Sequence, residues 1–311
     1  MITKVSTVNM PHGEWLERRR RSVGGSDAAA IVGLNDYVSP FALWSEKTGR
    51  VPGFAGNLAT EVGTFLEEFV AQKFAAETGK KVRRENAFIY NDKYPWAHAN
   101  VDRVICNESA LLEIKTTDSM NMKKFKNGEY PAHYYAQCVH YLGLTGKDRC
   151  YLAVLIGNKD FKWFTIERDQ EEIDALMKAE ETFWKTYVEK DVPPLPDGSN
   201  ATTDAIGRIY RESTGGEVDL FNRGSLVAEY FRLKQTVDEL DSRMSEISNV
   251  LKLDMGDAEK GLCGSYKVSW ASQTRRTFDA KAFAAQNPGV DLTPYYKTTV
   301  VRPFKLTQTT K

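Results

Sequence analysis

Three side chains whose types act together in metal-assisted hydrolysis lie close in the sequence, namely Asp102, Glu113 and Lys115. Residues two apart in a strand share a face, so Glu113 and Lys115 point the same way, while Ile114 points into the core. On consecutive strands, Asp102 comes to face this pair. Carboxylates hold Mg²⁺, a bound metal activates water for attack on a phosphodiester, and a lysine positions or deprotonates that water. A Glu-x-Lys pair alone is common on exposed strands, but the preceding aspartate strand favours one shared site.

The helix predicted over residues 58–78 offers a third carboxylate. Its apolar residues recur at helical spacing, and Gly79 is suited to end it. Glu67 shares a face with Gly63 and Val70 and is therefore predicted to point toward the sheet, where a carboxylate requires a cation. Glu68 falls on the outward face and is predicted to be solvated.

The elements that must position these side chains follow from β-branched and aromatic runs and from helical periodicity. Strands are predicted over residues 86–90, 96–105, 110–116, 149–156 and 161–168, and helices over residues 132–144 and 170–189. The turn at residues 157–160 has the composition of a hairpin loop. Together these elements predict an α/β unit with a mixed central sheet flanked by helices.

Three prolines between Val192 and Gly198 mark a boundary. The predicted division is a first domain over residues 1–192, a linker with short elements over 193–222, and an accessory region over 223–311. In that region, apolar residues alternate steps of four and three, the seam of a coiled coil: Leu226, Tyr230, Leu233, Val237, Leu240, Met244, Ile247 and Leu251. Packing within the chain and contact with another protein are equally consistent with this seam. A β-like stretch follows over residues 263–272.

Composition limits the class of protein. The 311 residues carry 42 basic and 42 acidic side chains, a balance that does not favour nucleic-acid binding but leaves it to local patches. Basic residues do cluster, at residues 18–21, 80–84 and 123–126. No apolar run approaches the ~20 residues of a membrane span, and the first residues lack a secretory pattern, so a cytoplasmic protein is expected. The cysteines lack C-x-x-C spacing, which disfavours a zinc or redox motif.

Several motifs in order extend the pattern beyond the trio. They are the run from Trp15 to Asp27 with its four arginines, Gly63-Thr64-Phe65-Leu66-Glu67, Val101-Asp102-Arg103, Leu112-Glu113-Ile114-Lys115, and the stretch from Pro131 to Tyr141 that contains Gln137. This ordered set resembles the lambda-exonuclease family, the YqaJ-like phage recombinases within the PD-(D/E)XK nuclease superfold. The resemblance covers residues 12–190. It implies a restriction-endonuclease-like core, followed here by a helical and β accessory region.

The resemblance also implies roles for individual residues. Asp102 and Glu113 would hold Mg²⁺, for which Mn²⁺ can substitute, Glu67 would complete the metal environment, and Lys115 would serve the attacking water. Arg19 and Ser26 would bind the 5′-phosphate of a DNA end, as a guanidinium and a hydroxyl are suited to do. Four consecutive arginines leave Arg18 and Arg20 as alternatives, and Ser26-Asp27 also suits a helix N-cap. Gln137 would line the site, although a polar residue on a helix flank has the same pattern.

The activity implied by this family is Mg²⁺-dependent 5′-to-3′ degradation of linear double-stranded DNA. It would leave 3′ single-stranded tails for phage-type homologous recombination. The resemblance further implies a ring-shaped homo-oligomer, for example a trimer, and a single-strand annealing protein as partner, in the cytoplasm of a bacterial host. Two alternatives stay open: an endonuclease of the same superfold, which would cut closed circular DNA, and a catalytically silent DNA-binding or scaffold protein.

Overall fold

A computed structural model describes residues 1–53 and 56–308. The chain forms two compact units, Met1–Arg211 and Glu212–Lys311. The strands of the first unit are β1 (Ile2–Ser6), β2 (Val82–Arg84), β3 (Ala87–Asn91), β4 (Arg103–Ile105), β5 (Ala110–Thr117), β6 (Arg149–Ile156) and β7 (Asp160–Glu167). Its helices are α1 (His12–Arg20), α2 (Gly25–Ile31), α3 (Pro40–Lys47), α4 (Leu58–Thr78), α5 (Ala132–Thr145), α6 (Gln170–Phe183) and α7 (Asn200–Ile209).

The central sheet of the first unit has the strand order β2-β4-β5-β6-β7. Strands β5 and β6 run parallel, and the other neighbours are antiparallel. The alternation along β5 sends Leu111 to one face, where it packs with α5, and Leu112 and Ile114 to the other, where they pack with α4. Strand β5 is therefore covered on both faces, and a polar side chain on it is buried unless it lies near the strand's end.

Helix α4 spans the predicted residues, because Asn57 caps its first turn and Gly79 ends it in the left-handed conformation at φ 69°. The periodicity did not identify the buried stripe, however. Val70, Ala71 and Phe74 are buried, whereas Val62 and Phe69, which share the helical spacing, remain exposed. They line a groove between α4 and the turn that joins β6 to β7.

The strand predicted over residues 96–105 is wrong in its first part, since only Arg103–Ile105 pairs in the central sheet. Upstream, Ala97 bridges to Val23 and Ala99 bridges to Ile89. Because these neighbours pair with two different segments, a continuous ladder does not extend through them. Strand β1, which the polar alternation of residues 2–6 did not predict, pairs antiparallel with β3 in a separate two-stranded sheet.

The first unit extends to Arg211 because α7 packs against α3. Ala205 joins a buried cluster with Phe41 and Trp44, and Thr202 Oγ1 donates to Ser39 Oγ at 2.7 Å. A helix therefore lies within the stretch that the prolines mark as a linker.

The second unit contains the long helix α8 (Gly224–Met255), a hairpin of β8 (Lys260–Cys263) and β9 (Tyr266–Ser269), and the short helix α9 (Ala280–Gln286). Within residues 212–308 no side chain is buried. In the described parts of the whole chain, no helix combines the length and apolar character that crossing a membrane requires.

Candidate active site

Asp102 and Glu113 meet at the edge where β4 joins β5. The antiparallel register pairs Arg103 with Leu112, so the preceding Asp102 lies next to Glu113. The Ile114 backbone N–H donates to Asp102 Oδ2 at 2.8 Å, which fixes this carboxylate on β5. The carboxyl groups of Asp102 and Glu113 lie within hydrogen-bonding reach of each other. The structure thus brings together the two carboxylates that the sequence placed on consecutive strands.

Electrostatics make this pair an unusual one. Burial, and then the charge of Glu113, raise the pKa of Asp102 well above its ordinary value. Burial also raises the pKa of Glu113, although Lys115 opposes the shift. Glu113 Oε2 is buried without a hydrogen-bond donor among the described residues. A buried carboxylate oxygen that has no donor and lies beside a second carboxyl group is stabilised by a proton or a cation between the two groups, so the pair fits a divalent metal ion.

Lys115 completes the trio. Its Nζ donates to Glu113 Oε1 at 2.5 Å and lies 5.5 Å from the centre of the Tyr134 ring. Burial alone would lower the pKa of Lys115, but the charges of Glu113 and Asp102 outweigh burial and raise it. The Lys115 side chain is 22% exposed, whereas that of Glu113 is 3% exposed. An ammonium held at the mouth of a carboxylate pair can contact a water or a phosphate oxygen from outside.

Glu67 is placed differently from the other two carboxylates. Helix α4 packs on the Leu112 face of β5, and Arg103 occupies that same face because it pairs with Leu112. Glu67 consequently forms an ion pair with Arg103, whose side chain is only 3% exposed. The predicted cation for Glu67 is thus an arginine of β4. In the described ranges, no three His, Cys, Asp or Glu side chains come together as a metal-binding group.

Glu68, predicted to be solvated, is exposed and is also ion-paired. Its Oε2 lies 2.9 Å from Arg84 Nη2 and 3.1 Å from Arg103 Nη2. The helical spacing correctly put Glu68 outside the core, but it could not show that β2 and β4 carry arginines beside that face. Arg103 therefore links two adjacent glutamates of α4 to the strand that follows Asp102.

A second group of side chains contains Arg19 and Ser26. Arg19 Nη2 donates to Ser26 Oγ at 2.8 Å, and the guanidinium lies 4.7 Å from the centre of the Trp15 ring. Its neighbours in the arginine run pair with glutamates of their own helix, Arg18 with Glu14 and both Arg20 and Arg21 with Glu17. Within the described residues Arg19 has no carboxylate closer than the 4.0 Å of an ion pair. Of the four arginines, Arg19 is the one whose guanidinium remains available to an anion beside Ser26.

Lys47 fixes how α1 meets α2. Its Nζ lies 2.6 Å from Asp27 Oδ2 and donates to the carbonyls of Arg19 at 2.7 Å and Ser22 at 2.9 Å. Although burial alone would raise it, the pKa of Asp27 is lowered by the charges of Lys47 and Arg19. The predicted N-cap at Ser26-Asp27 is wrong by two residues. Gly24 is the cap, and Asp27 reaches back to accept its N–H at 2.9 Å.

Gln137 lies on α5 and is buried against α2. Its Nε2 donates to the Tyr141 hydroxyl at 2.9 Å. Burial, followed by the charges of Glu113 and Asp102, raises the pKa of Tyr141 well above its ordinary value, so the hydroxyl keeps its proton near the carboxylate pair. A Cβ on Gly25 would lie 2.5 Å from Tyr141 Cε1, so only glycine permits this approach of α2 to α5. Gln137 and Tyr141 therefore lie between the Ser26 helix and the carboxylates.

Sequence reasoning missed Arg103, Lys47 and Tyr141 as parts of this site. Arg103 carried a signal, because it directly follows Asp102 and would turn to the opposite face of the strand. Tyr141 falls one helical turn after Gln137, which is the spacing of side chains on one face. Lys47 carried none, because its partners lie 20 to 28 positions away and are joined to it only by folding.

The fold is similar to that of a solved structure. The crystal structure of an alkaline exonuclease, LHK-Exo from Laribacter hongkongensis, matches with a TM-score of 0.50 and 21% identity, covering 58% of this chain and 94% of that one. This likeness confirms the predicted fold class, a mixed central sheet flanked by helices.

The family follows from the sequence. Residues 14–148 match the YqaJ-like viral recombinase domain. A Bacillus subtilis (strain 168) protein called uncharacterized protein YqaJ is 40% identical over 287 residues, 90% of either chain. The chain belongs to the YqaJ-like viral recombinase family, as its ordered motifs predicted.

Proposed function

We propose that this protein is a Mg²⁺-dependent exonuclease that degrades linear double-stranded DNA from its 5′ ends and leaves 3′ single-stranded tails for recombination. One observation carries the proposal. The carboxyl group of Asp102 lies within hydrogen-bonding reach of that of the buried Glu113, whose Oε2 has no donor among the described residues, and Lys115 Nζ contacts Glu113 Oε1. Two adjacent carboxyl groups beside a single lysine, with one carboxylate oxygen buried and unpartnered, are costly for the fold and are suited to a metal-assisted hydrolase.

Asp102 and Glu113 are the side chains that would hold the metal, with Mn²⁺ able to replace Mg²⁺. The bound ion would activate a water and neutralise charge on the phosphate. Ile114 orients Asp102 through its N–H, and Lys115, protonated beside Glu113, directs its remaining hydrogens to the water or the phosphate oxygen. Glu67, held by Arg103, would act on this centre through its charge, which also raises the pKa of both carboxyl groups.

Arg19 and Ser26 would bind the terminal 5′-phosphate. A guanidinium and a hydroxyl 2.8 Å apart present donors to one small anion. The Trp15 ring limits the directions that Arg19 can take. Gln137, bonded to Tyr141, would line the path between this phosphate and the carboxylates. Recognition of the end and cleavage would then occur on one strand, which sets the polarity.

The family supports a cellular location, a partner protein and an oligomeric state for this activity. A recombinase that exposes single-stranded tails would act in the cytoplasm of a phage-infected or prophage-carrying bacterium, next to a single-strand annealing protein. A homo-oligomeric ring, with three subunits as one arrangement, would keep the enzyme on its DNA. Charge balance over the whole chain is compatible with a basic surface confined to such a channel.

The test compares three DNA duplexes of the same sequence, one linear with 5′-phosphates, one linear with 5′-hydroxyls and one closed circle. With Mg²⁺, we expect rapid degradation of the phosphorylated duplex, slower degradation of the hydroxyl duplex and an intact circle. With a chelator, all three should survive. Linearisation of the circle would show an endonuclease, and digestion in the chelator would exclude the metal centre.

A further inference from the structure

Helix α8 carries an apolar stripe that its own unit leaves open. The stripe, called the α8 seam below, consists of Leu226, Tyr230, Leu233, Val237, Leu240, Met244, Ile247 and Leu251. Each of these side chains is between 42% and 59% exposed. Phe304 contacts one end of the seam, with its ring centre 6.0 Å from that of Tyr230. The central residues of the seam are not buried by any described part of residues 212–308.

A helix of this kind requires a partner. Most of a helix's stability in proteins comes from packing of its apolar face, and beyond Phe304 at one end the seam residues stay 42% to 59% exposed in the described second unit. The strict alternation of three and four places the seam at the a and d positions of a heptad repeat, with Leu or Ile at every seam d position. A heptad repeat of this length is typical of a helix that packs along a second helix. Contact with a flat surface does not require such a repeat.

The charges beside the seam indicate which helix can pair with α8. In a parallel pair of α8 helices, Glu229 of one copy faces Lys234 of the other, and Val250 faces Met255. In an antiparallel pair centred between Val237 and Leu240, Lys234 faces Asp241, and every seam residue meets another seam residue. Neither direction places like charges opposite each other across the flanking positions. The helix is therefore complementary to itself.

We propose that α8 is a self-association element that pairs along the α8 seam with α8 of a second copy of this chain. The proposal is independent of the nuclease chemistry, since none of its residues belongs to the candidate active site. It gives the accessory region a physical role, namely to join two copies of the chain.

The test is cross-linking in the full-length protein, in a Cys106→Ser and Cys263→Ser background that removes the half-buried and the exposed thiol. Val237→Cys with Leu240→Cys puts two thiols in the seam. Gln235→Cys with Ser242→Cys puts two thiols on the opposite side of the same helix and serves as the matched control. After mild oxidation, we expect the seam variant to run as a covalent two-chain species on a denaturing gel and the control to run as single chains. Contacts between first units would not produce this difference.

A second measurement uses charge instead of thiols. Leu233→Glu with Leu240→Glu should halve the mass of the α8-linked species measured by light scattering, whereas Gln235→Glu with Ser242→Glu should leave it unchanged. DNA degradation by all four proteins reports that the first unit is folded. If the seam cysteines do not link two chains, or if the seam glutamates leave the mass unchanged, the seam is covered by its own chain or by another protein and the proposal fails.

Discussion

The two units of this protein use charge and apolar surface in opposite ways. The first unit buries ionisable side chains, among them Lys47, Arg103, Glu113, His140 and Glu180. The second unit buries none of its described residues and keeps its apolar side chains in an exposed stripe. Burial strengthens electrostatic interactions and shifts pKa values, so chemistry belongs to the first unit. An exposed stripe is suited to recognition, so the second unit should be dispensable for cleavage and required for association.

The largest expected effect comes from substitutions at the carboxylate pair of the first unit. Lys115→Ala should lower the rate of DNA degradation about 10²- to 10³-fold, the range for loss of one hydrogen-bond donor directed at charge that develops in the transition state. Asp102→Asn should remove activity and also the rise in melting temperature that Mg²⁺ produces in the unaltered protein. Without metal, Asp102→Asn should raise the melting temperature, because it removes a carboxyl group whose charge repels that of the buried Glu113.

The controls for these variants come from both units. Lys178→Ala on α6 and Lys252→Ala on α8 each remove a lysine outside the candidate site and should leave the rate unchanged. Full activity of Lys115→Ala, or an unaltered metal-dependent melting temperature in Asp102→Asn, would remove the basis for the metal site. Loss of activity in Lys252→Ala would contradict the division of roles between the units.

Several parts of this site could be predicted because they follow from local rules. The two-residue period of a strand puts Glu113 and Lys115 on one face, and consecutive strands bring Asp102 to them. Helix α4 was predictable at both ends, since Asn57 and Gly79 are capping residues. The choice of Arg19 among four arginines came from the family resemblance, and the structure adds a reason, namely that its neighbours already pair with Glu14 and Glu17.

The remaining parts depend on contacts that no local pattern encodes. Glu67 was expected to point toward the sheet and complete the metal environment, but α4 packs on the Leu112 face of β5, where Glu67 forms an ion pair with Arg103. The exposed Phe69 has the spacing of a core residue, and only the position of α4 over the sheet decides that Phe74 is buried instead. Strand β1 lacks an apolar run because its own side chains remain largely exposed, although it pairs with β3.

A smaller effect should separate binding of the DNA end from cleavage. Arg19→Ala should reduce the preference for 5′-phosphorylated over 5′-hydroxyl duplexes about 10- to 100-fold, the worth of one charge-assisted contact. Arg19→Lys should restore only part of the preference, because an ammonium lacks the fork of the guanidinium. The measurement is the ratio of initial rates on the two duplexes.

Arg18→Ala and Arg20→Ala are the matched controls for this prediction. Both side chains already pair with glutamates of α1, and we expect each variant to keep the phosphate preference. If Arg18→Ala or Arg20→Ala lost the preference instead, the phosphate site would include that arginine rather than Arg19. A preference unchanged in all three variants would remove the phosphate site from α1.

Glycine substitutions compare a tightly packed position in the first unit with open positions in each unit. Gly25→Ala would put a Cβ 2.5 Å from the Tyr141 ring and should lower the free energy of unfolding of the first unit by about 1–3 kcal/mol. Gly13→Ala in α1 and Gly224→Ala in α8 meet open space and should cost nothing or stabilise. Chemical denaturation measures all three. Equal stability of Gly25→Ala and Gly13→Ala would mean that α2 does not approach α5 closely enough to exclude a methyl group at Gly25.

The smallest effect concerns pH and the buried pair of His140 and Glu180, whose Nδ1 and Oε1 lie 2.7 Å apart. Burial alone would lower the pKa of His140, but the charge and hydrogen bond of Glu180 raise it above 6.5. Burial raises the pKa of Glu180. Both groups therefore bind protons more tightly in the folded chain than in the unfolded chain. Stability from His140 is complete below its unfolded pKa and is lost as the pH rises through its folded pKa.

The free energy of unfolding of the first unit should accordingly fall as the pH rises above 6.5, the ordinary histidine value, and His140→Gln should flatten that fall. Denaturation midpoints across a pH series measure it, and His12→Gln, at an exposed position, is the control. Equal slopes for the unaltered protein and His140→Gln would assign the pH dependence to other groups. A flattened slope would show that the buried charge pair of the first unit makes the free energy of unfolding depend on pH. The exposed charges of the second unit are screened by solvent and should contribute little to that dependence.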